Sequence, residues 1–401
     1  MEAYVIDWMN MLVRWLHLIA GIAWIGASFY FVMLDSSLTP PSKDEDRKRG
    51  VFGELWAVHG GGFYNSRKYL TGPKGEPLSE HLHWSKWEAY TTWMSGMGLL
   101  AIIYWYGANA FLIDKSVMDL TPATAITISI GFLVGGWLIY DALCRILESQ
   151  ATLLALVLFV LIVIADWGLF HLFSARAAYL HVGAMMGTMM VANVFFHIIP
   201  GQKRMVTAIR AGKEPDPRPG VIGRQRSVHN TYFTLPVLFI MISNHYPMTY
   251  GNRHGWLVLA GIMLAGVLIR QFFVLRHQGK VNYALPAAGA VILIVVAVAI
   301  APHAAPASAS VEGMKVPFSR IQPIVAERCA VCHSQRPTQP GFTAAPAGVL
   351  LDSPEHIHDN AQRIEQQAVA TQTMPLANLT RMTPDERVLL GTWIAEGAKT
   401  H

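Results

Sequence analysis

Long runs of apolar residues constrain this chain more than any other feature, because about 20 such residues in succession are most stable as a helix across a lipid bilayer. Of the 401 residues, 53% are hydrophobic and only 14% are charged. Scanning for such runs gives eight candidate spans, at residues 10–34, 87–108, 122–144, 151–171, 177–199, 230–246, 255–275 and 283–301. The sequence therefore predicts an all-α fold, with a polytopic transmembrane helix bundle over residues 1–301.

The positions of Lys and Arg predict how these spans cross the bilayer. Most basic loop residues, Arg226 among them, fall in alternate connections, at residues 35–86, 145–150, 200–229 and 270–281. The other connections hold Lys115, Arg176, Arg253 and little else. By the positive-inside rule the basic connections are cytoplasmic, so both termini are expected on the outer side. The net charge of +5 then belongs to membrane-flanking loops and implies no nucleic-acid partner.

A five-residue motif near the C-terminus, Cys329-Ala330-Val331-Cys332-His333, predicts a covalently bound haem. In such a CxxCH motif the two thiols attach the haem and the histidine ligates its iron. The alternatives are a chance match or a thiol redox pair. Covalent haem is attached in this way outside the bacterial cytoplasmic membrane, so the motif predicts a periplasmic tail on an inner-membrane protein. The positions of Lys and Arg, which do not depend on this motif, also predict that the C-terminal tail is on the outer side.

The sequence around this motif predicts a small class I cytochrome c domain over residues 315–401, joined to the bundle by an Ala/Pro/Ser linker at 302–314. Met374 precedes a proline and is the predicted second axial ligand of the haem c iron. Met382 is the alternative ligand. It directly precedes a helix start at Thr383, where the sequence Thr-Pro-Asp-Glu predicts a capping box.

Histidines in the predicted spans fall into two layers. His181 and His197 are 16 residues apart in one span, and His229 and His245 bracket the next at the same spacing. Each interval covers about 24 Å of helix, which suits opposite sides of a bilayer rather than one site. Because the two spans run in opposite directions, His181 and His245 are expected near the outer face, and His197 and His229 near the inner face.

The two histidine layers predict haem b as a cofactor, with one or two haem b groups in the bundle. His17 in the first span joins the outer layer, and Arg14, one turn away, is available for a haem propionate. Imidazole is a good iron ligand, and ionisable groups inside a membrane are rare unless they bind or conduct something. The alternative is that several of these histidines only form hydrogen bonds between helices or lie at the membrane interface.

The first cytoplasmic connection contains a second candidate site. Gly60, Gly61 and Gly62 follow His59, and Asn65 and Arg67 come shortly after them. Glycines allow a flat anionic molecule to approach the backbone closely, and the neighbouring polar and aromatic side chains suit such a ligand. The alternative is a flexible turn beside an interfacial aromatic belt. A nucleotide-binding P-loop is excluded because no Gly-Lys-Ser/Thr follows.

The whole arrangement resembles the membrane-bound bacterial urate hydroxylases. The resemblance is carried by eight spans ahead of one cytochrome c domain, by Trp15-Leu16-His17, by Ala23-Trp24-Ile25-Gly26, by the segment from His59 to Tyr64, and by Cys329–His333. It implies oxidation of urate to 5-hydroxyisourate, with electrons passing through the cytochrome domain to an acceptor of the respiratory chain. It identifies no urate-contacting residue.

We therefore expect urate to bind at the cytoplasmic side among His59, Asn65 and Arg67, next to the inner histidines. A neutral imidazole would take a proton while two electrons leave and water adds at C5. Electrons would then pass outward to the haem held by Cys329, Cys332, His333 and Met374. Two alternatives remain open from the sequence: a quinol-oxidising electron-transfer subunit with a fused cytochrome c, and a transporter or sensor whose cytochrome is regulatory.

Overall fold

The computed structural model describes residues 2–301, 316–339, 342 and 344–400. The predicted linker at 302–314 lies outside the described residues. The described part is mostly helical. Its N-terminal region holds α1 (Glu2–Ser36), α2 (Asp44–Lys48), α3 (Trp87–Leu99), α4 (Pro122–Ile146), α5 (Ala151–Phe170), α6 (Ala175–Ala192), α7 (Ile199–Arg210), α8 (Arg218–Ser243), α9 (Pro247–Tyr250), α10 (Gly255–His277) and α11 (Ala284–Ala299).

Each of the eight predicted spans coincides with a helix, and five of the described helices are long and apolar enough to cross a membrane. These five are Tyr4–Ser36, Pro122–Ile146, Ala151–Phe170, Ala175–Arg210 and Gly255–His277. Helix α11 is apolar but shorter. We call the end of the bundle where α1, α4 and α10 finish the inner end, and the opposite end the outer end.

The connection predicted at residues 200–229 is mostly helical rather than a loop, because α7 and α8 occupy most of it. Helix α6 continues through a π-helical segment, Asn193–Ile198, directly into α7. Helix α8 begins at Arg218, so Arg226 lies inside a helix and is 2% exposed rather than a loop charge. The polar residues at the start of α8 had lowered its hydropathy below that of a typical span.

The all-α prediction also fails at one hairpin, formed by β1 (Val51–His59) and β2 (Gly62–Tyr69). The strands are antiparallel, and His59 pairs with Gly62. Only Gly60 and Gly61 lie between them, with φ of 60° and 80°. Two-residue hairpin turns of type I′ require positive φ at both positions, which glycine adopts without strain. The glycines predicted to receive a ligand therefore close a β-turn.

Helix α6 lies at the centre of the bundle and α1 at its edge. In the most apolar stretch of the helix that runs from α6 into α7, 61% of the residues are buried. In the most apolar stretch of α1, only 6% are buried. Close approaches occur at glycines: a Cβ at Gly183 would lie 2.6 Å from Ile240, and one at Gly96 would lie 3.0 Å from the His17 ring. Helix α1 thus packs mainly along α3.

The C-terminal region forms a small helical domain around buried Ile321, Leu390 and Trp393. Its helices are α12 (Phe318–Val325), α13 (Pro354–Asp359), α14 (Ala361–Ile364) and α15 (Pro384–Ala395), with π-helical segments at Ala326–Ala330 and Glu365–Ala370. The predicted capping box is confirmed: the Thr383 hydroxyl accepts from the Glu386 amide, and the Glu386 carboxylate accepts from the Thr383 amide at 2.7 Å.

This domain contacts the outer end of the bundle. The Phe342 ring lies 6.4 Å from that of Phe111, which follows α3. Near α9, a Cβ at Gly251 would lie 2.7 Å from the Thr373 methyl group and 2.9 Å from the Thr371 carbonyl oxygen. The loop before Met374 therefore lies against the bundle.

Candidate functional site

Seven polar side chains, buried or half-buried, form a network between α4, the π-helical segment after α6, and α8. We call this network the inner cluster. It consists of Tyr140, Asp141, Asn193, His197, Arg226, His229 and Asn230. It lies toward the inner end of the bundle, because Asp141 is five residues before the last residue of α4, Ile146.

Asp141 is the centre of this network. Its Oδ1 accepts hydrogen bonds from His197 Nε2 at 2.6 Å and from Arg226 Nη2 at 2.7 Å. Its Oδ2 pairs with Arg145 Nη2, also at 2.7 Å. Because a carboxylate only accepts, His197 must be protonated on Nε2, which leaves Nδ1 as the basic nitrogen. Arg226 of the cluster and the exposed Arg145 beside it therefore share one carboxylate, which leaves a net positive charge around Asp141.

The π-helical segment explains how Asn193 and His197 both reach the cluster. Pro200 follows it and has no N–H to donate to the Phe196 carbonyl, so a regular α-helical bond is missing there. A widened turn is one way to accommodate such a defect, and π-helical turns are frequent at functional sites. The local sequence thus favours the turn that changes the direction of these two side chains.

A second set of hydrogen bonds joins Tyr140 to α8. The Tyr140 hydroxyl accepts from Asn193 Nδ2 at 2.8 Å and lies 2.9 Å from His229 Nδ1. Asn193 Nδ2 also donates to Asn230 Oδ1 at 2.9 Å. The Arg226 guanidinium lies over the Tyr140 ring, 5.1 Å from its centroid, and so connects this set with Asp141.

The inner cluster contains hydrogen-bonding atoms that have no protein partner. Within the described residues, these are Arg226 Nε and Nη1 and Asn193 Oδ1, all buried. Buried polar groups are almost always hydrogen-bonded, and an unpaired one is costly. The cluster can therefore bind a ligand that has anionic or carbonyl oxygens to accept from Arg226 and an N–H to donate to Asn193.

The predicted inner histidine layer, His197 and His229, is brought together in this cluster. His17, predicted for the outer layer, lies against α3 nearer the middle of the bundle, because its partner Thr92 is five residues from the inner start of α3. Its Nδ1 donates to the Thr92 carbonyl at 2.9 Å, so Nε2 is unprotonated and can ligate a metal. His181 is fully buried, and both of its nitrogens are hydrogen-bonded, to the Ala177 carbonyl and the Ser129 hydroxyl. Iron ligation by His181 would require Ser129 to give up its bond.

The other two predicted outer residues lie at the surface of the described structure. His245 is exposed just after α8. Arg14 is exposed on α1 and donates to Asn10 Oδ1 at 2.9 Å, one turn earlier. Their predicted roles toward a haem stay predictions.

The hairpin residues are divided between two faces. Asn65 and Arg67 share a face, where Asn65 Nδ2 donates to Glu54 Oε2 at 3.2 Å and Arg67 Nη1 pairs with Asp46 at 3.1 Å. His59 pairs with Gly62 at the tip, so it points to the opposite face. The structure therefore brings Asn65 and Arg67 together but separates His59 from them, and their catalytic role stays a prediction.

The predicted haem motif at Cys329–His333 has side-chain positions that fit a haem. His333 Nδ1 donates to the Val349 carbonyl at 3.0 Å, which leaves Nε2 unprotonated for iron. Cys329 and Cys332 are free thiols on one helical turn, and half-buried Met374 packs on the domain core. Burial raises the pKa of the Cys329 thiol to about 12. Redox-active thiols instead have lowered pKa values.

Four residues of the inner cluster were not predicted: Tyr140, Asp141, Asn193 and Asn230. A signal for Asp141 existed, because an acidic residue inside a predicted span is rare and usually functional. Arg226 was assigned to a loop from its neighbouring charges. The neutral residues carried no such signal, since their roles depend on partners from other helices.

Comparison with known proteins gives one match. Residues 3–301 match the urate oxidase N-terminal family, and this match includes the whole inner cluster. No curated protein matches the chain. No solved structure matches it either. Because the match covers most of the chain, the chain belongs to the urate oxidase N-terminal family, which indicates a urate-related oxidoreductase.

Proposed function

We propose that this protein is a membrane-bound oxidoreductase that oxidises urate to 5-hydroxyisourate at the inner cluster and passes the electrons to its C-terminal domain. Urate and one water give 5-hydroxyisourate, two electrons and two protons. The observation that carries the proposal is the buried Arg226, with two unpartnered guanidinium nitrogens beside the Asp141–His197 pair, in a chain of a urate oxidase family.

Charge complementarity favours urate as the ligand. Urate is an anion at neutral pH, and two arginines, Arg226 in the cluster and the exposed Arg145 beside it, face the one carboxylate of Asp141. Arg226 Nε and Nη1 point to different sides of the guanidinium group, so either can make a charge-assisted hydrogen bond to a urate oxygen. Asn193 Oδ1 can accept from a ring N–H. Together they would fix both the position and the rotation of the ring.

Proton removal is the second task, and His197 is placed for it. Its Nε2–H is held by Asp141, so Nδ1 can take a proton from the water that adds at C5 of urate. Asp141 would stabilise the imidazolium that forms. The second proton would leave from the urate ring. This assignment places the chemistry at the inner cluster instead of at His59, Asn65 and Arg67. The reason is that buried atoms of the inner cluster have no protein partner, whereas Asn65 and Arg67 are bonded to Glu54 and Asp46.

Electrons must then travel most of the length of the bundle. Asp141 is 19 residues from the outer start of α4 at Pro122, or about 29 Å. The C-terminal domain contacts that outer end. Over this distance we expect an intermediate carrier, a haem b for which His17 offers a free Nε2. Cys329, Cys332, His333 and Met374 would hold haem c, which when bound would accept electrons one at a time.

The same positions support an orientation in the membrane. The inner end would be cytoplasmic and the C-terminal domain periplasmic, with eight spans in a bacterial inner membrane. The basic residues Arg47, Lys48, Arg49, Lys203 and Arg204 lie in segments at the inner end, in accord with the positive-inside rule. An acceptor of the respiratory chain would meet the protein on the periplasmic side.

A specific observation also favours quinol oxidation. An apolar groove of about 570 Å³ lies between α4, α5 and α6, and glycines such as Gly131 and Gly135 form part of its wall. Tyr140 of the inner cluster lines it as well. A lipid-soluble quinol could reach the cluster by this groove, with electrons again leaving through the C-terminal domain.

Mixing purified, oxidised full-length protein with urate under anaerobic conditions separates the two functions. We expect rapid reduction of the haem-c band by urate and formation of 5-hydroxyisourate. The variant His197→Gln should lose most of this reduction, while His254→Gln, a change at an exposed histidine outside every predicted site, should keep it. Reduction by a quinol but not by urate would establish the alternative and reject our proposal.

The axial ligand can be tested with two methionines. Met374→Ala should change the haem-c spectrum and lower its reduction potential, because a thioether ligand raises that potential. Met382 is 3% exposed in the domain core, so Met382→Ala should cost about 2–4 kcal/mol of stability but keep the spectrum. The reverse result would assign the ligand to Met382.

A further inference from the structure

A second buried arginine lies outside the inner cluster. Arg270 on α10 is 5% exposed, and its Nε and Nη2 atoms have no hydrogen-bond partner. Its guanidinium lies over the ring of Phe29 on α1, 4.1 Å from the centroid. This stacking supports the apolar face of the guanidinium but leaves its in-plane donors unused.

The surroundings of Arg270 supply no counter-ion. Among the described residues, no Asp or Glu forms an ion pair with it. The nearby acid at the inner end of α1, Asp35, pairs with Lys68 at 2.6 Å. The polar neighbours Tyr232 and Gln271 are hydrogen-bonded to each other. Arg226 has Asp141 as its partner, whereas the charge of Arg270 is unbalanced inside an apolar bundle.

The position of Arg270 restricts what can balance this charge. The inner ends of α1 and α10 lie at the same level, because the Ser37 hydroxyl donates to the His277 carbonyl at 3.5 Å. Arg270 is seven residues from the last residue of α10, so it lies about 10 Å inside that end. This depth suits the polar head of a molecule whose apolar part lies in the bilayer.

We propose that Arg270 binds the anionic oxygen group, a phosphate or carboxylate, of an amphipathic molecule held between α1 and the pair α8–α10. Nε and Nη2 form the side of the guanidinium that binds two oxygens at once. Helix α1 packs mainly on α3, and its inner half exposes Tyr30 and Phe31, which leaves room for an apolar body. The source of the anion is an anionic phospholipid or the propionate of a noncovalent tetrapyrrole.

This inference is independent of the urate chemistry. It depends on the side of the bundle where α10 faces α1, whereas the inner cluster joins α4, the segment after α6, and the first half of α8. Loss of the molecule at Arg270 and loss of urate binding at Arg226 are therefore measured separately.

The experiment compares wild type, Arg270→Gln and Arg276→Gln as full-length proteins. Arg276 is an exposed arginine on the same helix and serves as the matched control. Each protein is placed in nanodiscs of phosphatidylcholine with or without phosphatidylglycerol, and retained phosphatidylglycerol is measured by native mass spectrometry. Noncovalent haem is measured by its pyridine haemochrome. Covalent haem c content checks that each variant is assembled.

We expect Arg270→Gln to bind one of these two molecules at least about tenfold more weakly, because charge-assisted hydrogen bonds are lost. Loss of phosphatidylglycerol identifies a lipid, and loss of noncovalent haem identifies a tetrapyrrole. Retention of both at the wild-type level would overturn the proposal. If Arg270→Gln does not assemble, the test uses the wild-type protein alone. A wild-type protein that retains neither phosphatidylglycerol nor noncovalent haem would also overturn the proposal.

Discussion

The inner cluster and the β-hairpin contain similar side chains but differ in how those side chains are used. Each has an arginine paired with a carboxylate and an asparagine in the same group of contacting side chains. In the hairpin, Arg67 and Asn65 bond to Asp46 and Glu54 and so stabilise the fold. In the cluster, Arg226 and Asn193 keep buried atoms without a protein partner. The comparison teaches that hydrogen-bonding capacity left over after folding indicates a binding site better than residue composition does.

The largest expected effect is that of Arg226→Gln. Removing this donor should slow urate-dependent reduction of haem c by about 10²–10³-fold, as for other donors that stabilise charge during a reaction. The measurement is anaerobic stopped-flow spectroscopy of the haem-c band. Arg224→Gln is the control, since Arg224 is an exposed arginine two residues away on the same helix. Equal rates in the two variants would remove the cluster from the reaction.

A smaller effect is expected for Asn193→Ala. Loss of one neutral acceptor should weaken urate binding by about 3–10-fold, equivalent to one uncharged hydrogen bond. The change should appear in KM more than in kcat, because Asn193 orients the ring and takes no proton. Thr188→Ala, a change on the preceding part of the same helix, serves as a comparison for general packing effects. A large fall in kcat alone would assign Asn193 a different role.

The hairpin variant Arg67→Gln should change urate turnover by less than about threefold, the scale of a surface substitution. It removes the ion pair with Asp46, so we expect faster amide exchange in β1 and β2, measured by hydrogen–deuterium exchange. A loss of turnover as large as that of Arg226→Gln would return the site to the hairpin. His59→Ala at the hairpin tip completes this test.

The smallest effect is a pH dependence of hairpin stability. Hydrogen bonds from the backbone and hydroxyl of Ser42, with a further bond from Asn65, lower the pKa of Glu54. A carboxyl group with a lowered folded-state pKa contributes stability above its unfolded pKa of about 4.3, and this is lost as the pH falls through the folded value. Fluorescence of exposed Trp56 should report loosening in acid. Glu54→Gln should abolish that dependence, and an unchanged acid transition would contradict it.

Much of the helical framework was predictable because apolar runs are local signals. The bounds of α4, α5 and α10 agree with the predicted spans to within a few residues, and the capping box at Thr383 follows from four adjacent residues. The hairpin was missed although its signal was present, because Gly60 and Gly61 were interpreted as a ligand-binding loop rather than a two-residue turn.

The candidate site was predictable only in part. The two inner histidines, His197 and His229, were expected on one side of the bundle, and the structure places them in one cluster. Arg226 was assigned to a loop because charged residues normally mark the ends of spans. Its burial depends on Asp141, 85 residues earlier, which supplies the counter-charge that makes a buried arginine tolerable.

The sequence by itself determined the helical segments, the family, and the motif at Cys329–His333, since each depends on residues that are close together in the chain. Only the tertiary structure decided which polar groups share a carboxylate, which face of the hairpin His59 occupies, and which arginines have free donors. The physical reason is that apolar periodicity and capping act within a few residues, whereas the pairing of buried polar groups is set by side chains from helices far apart in sequence.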